Sequence, residues 1–506
     1  MMSDFFFLRW RWLFPFFVLG GSLVAGPSSP YVPAPSERVP EPKREFRGTW
    51  IATVWNVDWP SKPGLSASQQ KTELARIMDV VAGLRMNAVI LQVRPEGDAL
   101  YDSKHEPWSY WLTGSQGKSP GYDPLGVAVE MAHQRGLELH AWFNPFRARA
   151  TRNHALSSQH ALRRNPSWAL SAGTQDWFNP ALSSVRKHSL KVISDVVKRY
   201  DIDGVHLDDY FYPYPQGTKL KFDDSSDYQR YRNSGGRASA EEWRRSNIDS
   251  FVRELKPTVQ RVKPHVKVAI SPFGIWRPGH PRGIEASIDP YVHLAADSRG
   301  WFENGWVDVM TPQLYWRHDQ KEQSFSALTG WWDDQNKQKR HLWPGIASSR
   351  IRADGSDRNR SAGETIKQID TVRKLARRQP GSGHTHWSVS ALLDDRGGVK
   401  AQLLKESYQD RALVPESPWL ARGSAPTVPK AWVQGQAKGL VLRWEETSSS
   451  TRWWVVQMKS GVSWRTERVL PEGASGMTLT DAPAWIAVRA MDAAGRLSAP
   501  AVMRKG

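Results

Sequence analysis

Two adjacent carboxylates and three aromatic residues close the segment Asp201-Ile-Asp-Gly-Val-His-Leu-Asp-Asp-Tyr-Phe-Tyr212. Read as a strand, Val205 and Leu207 point one way while His206 and Asp208 point the other. Asp208 and Asp209 end it, and Tyr210, Phe211 and Tyr212 follow. An unpaired carboxylate is costly to desolvate, so packing alone does not account for such an ending. Acids beside flat rings suit glycosidic chemistry. One carboxyl protonates the leaving oxygen, another stabilises or attacks the anomeric centre or activates water, and the rings hold a pyranose face. The plain alternative is an acidic strand end in a solvated loop.

Positioning such a group needs a frame, and the chain repeats an apolar strand followed by an amphipathic helix. Strands are expected at 48–54, 88–93, 138–143, 204–207, 266–271, 307–311, 341–346 and 386–391. Helices are expected at 69–84, 124–134, 183–200, 240–262, 323–337 and 363–378, with a short one near 291–296. Eight strands with helical crossovers predict an α/β fold of the (β/α)8 barrel type, the TIM barrel, with loops longer than the usual chain of about 250 residues allows. An open doubly wound sheet is the competing architecture, but no glycine-rich phosphate loop follows the first strand.

In a barrel the chemistry sits at the carboxyl ends of the strands. The residues expected there are Trp55, Asn56, Asp58 and Trp59, then Arg94-Pro-Glu-Gly-Asp98, then His140, Trp142 and Asn144. Asp208 to Tyr212 come next, then Ser271-Pro-Phe-Gly-Ile-Trp276, then Gln313, Tyr315 and Trp316. The last two strands offer Ser348, Ser349, Arg350 and Ser390. Acids, amides and aromatics thus converge on one face.

The 506 residues suffice for one large domain and one small one. There is no cysteine, which removes disulfides, cysteine-ligated zinc, thiol catalysis and cysteine lipidation. The net charge of +18, from 69 basic and 51 acidic residues, is dispersed. With no long basic run and no nucleic-acid motif, it suits an anionic polymer or lipid surface better than nucleic acid. The count of 26 tryptophans is high; some must be core, but tryptophan in loops is a common way to build a sugar-stacking surface. Residues 1–26 carry Arg9 and Arg11 among aromatics and then an apolar run too short for a comfortable membrane span, so they are read as an export signal. Prolines 27, 30, 33, 35, 40 and 42 make 27–43 a semi-rigid linker. The barrel domain is assigned to 44–414 and a second linker to 415–428. An all-β sandwich similar to a fibronectin type III module is assigned to 429–506, on the alternation of Gly439-Leu-Val-Leu-Arg-Trp444 and Ala484-Trp-Ile-Ala-Val-Arg-Ala490.

Six motifs carry a more specific resemblance. Arg47-Gly-Thr-Trp50, Gln92-Val-Arg-Pro-Glu-Gly-Asp98, His140-Ala-Trp-Phe-Asn-Pro145, Asp203-Gly-Val-His-Leu-Asp-Asp-Tyr210, Ser271-Pro-Phe-Gly-Ile-Trp276 and Thr311-Pro-Gln-Leu-Tyr-Trp316 resemble those of glycosyl hydrolase-like family 10. These are divergent bacterial TIM-barrel proteins, among them an enzyme that cuts peptidoglycan glycan strands already stripped of stem peptides. The resemblance covers about residues 45–400 and implies an exported hydrolase of the periplasm or cell envelope, acting on N-acetylhexosamine chains. That enzyme is a lipoprotein. Here Pro27 stands where the lipidated cysteine would be, so a lipid anchor does not carry over, and the N-terminal segment could offer peripheral membrane contact instead.

Asp208 is read as nucleophile or base. Glu96, after the second strand, is read as the general acid. Asp209 can act only if the strand end bends outward; otherwise it makes a loop salt bridge, for instance with Arg94. Asp98 and Asp308 are reserves. Arg94, Asp98, His140, Asn144, His206, Tyr210, Trp276, Gln313, Tyr315, Trp316 and Trp55 are the expected substrate contacts. For the histidines and aromatics the alternative is core packing. Asp223-Asp-Ser-Ser-Asp227 lacks the glycine and terminal glutamate of a calcium loop and is read as a solvated loop. The reading requires no metal and no cofactor. The loop after strand five holds no acid, which keeps a non-catalytic glycan-binding protein as the rival function. A metal-dependent hydrolase using His140, His206, Asp208 and Asp209 is a third.

Overall fold

A computed structural model describes residues 29–216, 219–351, 360–376, 381–436 and 439–506. The strand segments close into one parallel barrel. β1 (Phe46–Ile51), β2 (Ala88–Arg94), β3 (Glu138–Phe143), β4 (Gly204–Leu207), β5 (Lys267–Ile270) and β6 (Val309–Met310) pair side by side in chain order. β7 is interrupted at Trp343-Pro344, because proline has no amide hydrogen to give a ladder. Its first half, His341–Leu342, pairs with β6, and its second half, Gly345–Ile346, pairs with β8 (Gly383–His386). β8 then pairs with β1, Thr385 opposite Gly48, and the ring is complete.

β3 and β4 have the bounds expected from the sequence, while β8 begins and ends earlier than the 386–391 expected. That shift places Trp387, not Ser390, at the strand's exit. The crossovers start where side chains satisfy the first free amides. Ser66 and Gln69 form a capping box on α1 (Ala67–Gly83), and Ser239 and Glu242 form one on the long helix α2 (Ala240–Val262). Apolar faces of both helices pack on the outside of the strands.

Inside the barrel the filling is partly ionic. Lys267 Nζ donates to Glu138 at 2.8 Å, and the other Glu138 oxygen meets His140 Nε2 at 3.0 Å. Gly204 faces that ring so closely that a Cβ would lie 2.6 Å from His140 Nδ1. This close approach is why the Asp203-Gly-Val-His motif needs its glycine.

Beyond the barrel, two antiparallel sheets pack around Trp444, Trp454, Val456, Ile486 and Val488. One holds Lys430–Gln436, Gly439–Glu445 and Gly476–Leu479; the other holds Trp453–Ser460, Ser463–Pro471, Trp485–Met491 and Ala501–Lys505. The proline-rich segment expected to be a free linker instead adds Tyr31–Pro33 to the second sheet, Tyr31 opposite Lys505. Proline is tolerated there because the strand lies on the sheet's edge. Residues 1–26, read from the sequence as an export signal, lie outside the described residues. Among the described residues no helix is long and apolar enough to cross a membrane.

Arg452 fastens the sandwich to the barrel. Its guanidinium bonds Asp201 and, at 3.0 Å, Asp203, whose other oxygen meets His133 Nε2 at 2.9 Å. Against the cost of burial, Arg452 and then His133 hold the Asp203 carboxyl far below the usual carboxylate range. Removing one partner of a buried pair leaves the other uncompensated. Arg452→Met is therefore expected to lower stability by about 3 kcal/mol and to expose the 415–428 connection to limited proteolysis. Unchanged melting and cleavage would show that the two parts stay together by other contacts.

Candidate active site

β4 ends at Leu207, so Asp208 and Asp209 lie past the regular ladder and strict alternation no longer separates them. Both side chains are buried. Asp208 Oδ2 accepts from Trp142 Nε1 at 3.1 Å and from Asn144 Nδ2 at 3.2 Å, and Oδ1 accepts from the Tyr210 amide at 3.4 Å. Burial, then the neighbouring Asp209 charge, push the Asp208 carboxyl up to about 7, against the pull of Arg147, the Trp142 indole and the Tyr210 amide. Asp209 accepts from the Tyr214 hydroxyl, and burial raises it too, opposed by Tyr214 and the Gln313 carboxamide. A carboxyl near neutrality beside a second raised carboxyl is an arrangement that can accept and deliver one proton at ordinary pH.

Arg147 ties this pair to a second one. Its Nε and Nη2 donate to the Pro95 carbonyl at 3.0 and 2.8 Å, its backbone amide donates to Asn144 Oδ1 at 2.9 Å, and its guanidinium lies 4.9 Å above the Tyr210 ring. Its charge lowers Asp208, Asp209 and Glu96 alike. Glu96 is wholly closed from solvent; one oxygen accepts from the Ala150 amide and the other has no hydrogen-bond partner. Asp98 accepts from the Tyr110 amide at 3.0 Å and Gln116 at 3.2 Å. Burial pushes both acids above the usual range, and the Asp98 charge adds to it at Glu96.

Around Asp208 the aromatic residues form a wall. Trp387, unflagged in the sequence, sits among Trp50, Trp142 and Tyr315 at ring separations of 6.0, 6.0 and 6.3 Å, stacked on Tyr315. Gln313 is held by the Ser271 carbonyl at 2.9 Å. Trp316 lies against Phe273 at 5.6 Å. Trp55 is 51% exposed and rests on Trp111 at 5.2 Å, away from the buried pair's own partners. Trp276 is anchored by Asp297 at 3.1 Å and stacks on Trp331.

Three expected contacts do not open onto this face. The Arg94 side chain is engaged with Glu106, Nε to Oε2 at 2.7 Å, and with the Asn144 carbonyl, so it serves the wall rather than a ligand or Asp209. Against burial, Arg94 holds Glu106 down at about 2. His140 belongs to the Glu138–Lys267 network inside the barrel. His206, one alternation below Asp208, accepts from Trp50 Nε1 at 3.1 Å and lies 2.9 Å from Ser271 Oγ. Both rings are fully buried, because inward-facing strand residues stack in layers and only the last layer meets the mouth. Asp308 lies behind β6, paired with Lys256 at 2.6 Å. Asp224, read as part of a solvated loop, is buried against Arg244 at 2.6 Å, and Ser225–Asn233 is helical. Among the described residues no three His, Asp or Glu side chains are grouped to hold a metal ion.

The raised Glu96 carboxyl has a stability consequence. An acid whose folded pKa lies above its unfolded value of about 4.3 keeps its proton in the fold after the unfolded chain has lost it, so stability falls as pH rises past that value. Gln places a neutral amide in the same space with the Ala150 contact intact. Glu96→Gln is expected to raise the melting temperature by roughly 2–4 °C at pH 8 and to change it little at pH 4. An equal shift at both pH values would show that ionisation is not the cause.

Comparison with known proteins extends these observations. The profile of the family described as Glycosyl hydrolase-like 10 matches residues 45–360. The chain is 40% identical over 396 residues to Glycosyl hydrolase YngK of Bacillus subtilis (strain 168), covering 76% of each chain. It is 34% identical over 352 residues to Glycosyl hydrolase DigH of Escherichia coli (strain K12), covering 65% of this chain and 78% of that one. Among solved structures, the glycoside hydrolase domain of PgaB (BpsB) from Bordetella bronchiseptica aligns over 72% of this chain and 99% of that chain, at 14% identity and a TM-score of 0.49. The matched residues run from β1 through β7 and include the strand end that carries Asp208 and Asp209, and the chain belongs to the glycosyl hydrolase-like 10 family.

Proposed function

We propose that this glycoside hydrolase cleaves N-acetylhexosamine glycan strands of bacterial peptidoglycan, preferring strands stripped of stem peptides. The observation that carries the chemistry is the Asp208–Asp209 pair, buried at the mouth of β4 beneath a wall of aromatic rings. Asp208 accepts three hydrogen bonds, which suits the ionised form facing the anomeric carbon. The two raised carboxyls hold one proton between them, and that proton goes to the leaving oxygen, with the Tyr214 hydroxyl fixing the orientation of Asp209. Water supplies the hydroxyl that completes hydrolysis. Glu96 is assigned a supporting place, because its carboxyl is closed from solvent and bonded to the Ala150 amide. The substrate rests on the family motifs and on the aromatic lining, which suits a chain of acetylated sugars.

Mass spectrometry of products from peptide-free glycan strands tests this, with intact sacculi alongside. Reducing-end oligosaccharides are expected from the stripped strands, and about 100-fold less or lower still with Asp208→Asn. Glu96→Gln is expected to stay within about threefold of the parent, where loss of a general acid would cost about 100-fold or more. Turnover should fall as pH rises above about 7, where Asp208 gives up the proton held by the pair. Strands bound but not cut by the unsubstituted protein would favour a glycan-binding role instead.

A further inference from the structure

A groove of about 620 Å³ leads away from the carboxyl pair. Its near wall is Tyr210 and Tyr214, the latter bonded to Asp209, so the groove and the reacting acids share one layer of side chains. Its floor is Trp177, buried and held by the Phe211 carbonyl at 3.1 Å. Rings at 6.4 Å (Trp177 and Tyr210) and 5.5 Å (Tyr210 and Tyr214) make a continuous aromatic surface. The volume is that of a small-ligand site and accommodates a sugar unit or two.

Charge decides what such a sugar carries. Lys219 and Lys221 line the groove, and among the described residues no aspartate or glutamate does. Neither lysine makes an ion pair among the described residues. Reciprocal backbone bonds between Gln216 and Lys219, at 2.9 and 3.1 Å, hold the first lysine beside the Gln216 wall. Two cations with no acid beside them in the groove lining, next to an aromatic floor, select a ring bearing an anion.

We infer that this groove is a subsite for a sugar with a free carboxylate, which Lys219 and Lys221 hold while Tyr210 and Tyr214 face the ring. The inference rests on the glycan-strand reading and deepens it. In peptidoglycan the lactyl group of muramic acid is such a substituent. While a stem peptide is attached, that carboxyl is an amide and carries no charge. Once the peptide is removed, it becomes a carboxylate. The lysines would then be the means by which the site distinguishes stripped strands from substituted ones.

Two forms of the same peptide-free strands test this: one with free lactyl carboxylates, one with those groups converted to methylamides. The full chain is expected to show a kcat/KM about fivefold higher on the carboxylate form at low salt, narrowing as salt is added. In the double variant Lys219→Gln, Lys221→Gln, the ratio between the two forms is expected to collapse to about one. A ratio near one in the unsubstituted protein, or one retained by the double variant, overturns the subsite. If neither form is cut, the hydrolase reading fails, and the subsite is judged from equilibrium binding of the same two strands. A carboxylate preference lost in the double variant sustains it; equal binding overturns it.

Discussion

The Arg147 guanidinium is the contact on which the mouth of this barrel depends. Two of its nitrogens grip the Pro95 carbonyl after β2, and its face covers Tyr210 after β4. One side chain thus joins loops that come from different strands. It also supplies positive charge to three buried carboxyls that would otherwise climb further from the ordinary range. The balance is unequal by design of the surroundings. Asp208 has three donors and still sits near neutrality, while Glu96 has the Ala150 amide as its hydrogen-bond donor and His154 at 3.8 Å. Burial raises all of them; the local donors and Arg147 decide how far each is pulled back.

Much of the frame was legible in the chain. Strands buried on both faces read as apolar runs, and β3, β4 and the long helix α2 have the bounds that pattern implies. The position of Asp208 and Asp209 was legible too, since two carboxylates closing an apolar run mark where the ladder stops. What eluded the pattern has identifiable causes. β8 contains His384 and His386, both turned outward to the Tyr408 hydroxyl, so its polar outer face disguised its start and moved Trp387 from the exit to the interior of the expected strand. Arg147 lies three residues past Asn144, on a short strand, Arg147–Arg149, that belongs to an excursion no periodicity marks.

The two histidines show the limit from the other side. His140 and His206 do face inward, as alternation requires. Inward is not outward-opening, however, and the depth of a residue in the barrel depends on strand stagger, which emerges only when the ring closes. Arg94 is the same lesson at the mouth. Its spacing is right for a ligand, yet Glu106, twelve residues along the chain, claims its guanidinium. Long-range partners of this kind leave no local trace in the sequence.

The edge strand Tyr31–Pro33 bonds the strand Ala501–Lys505, with nearly the whole chain between them. A ribosome releases the first of these long before the second exists. The barrel can gather its strands as they emerge, but this sheet must wait for Ala501–Lys505 before its border is sealed. Until then the backbone of Ala501–Lys505's neighbour and of Tyr31–Pro33 is open to other partners. The sandwich therefore closes later than the barrel, and removing either of these two strands would unravel the same seam.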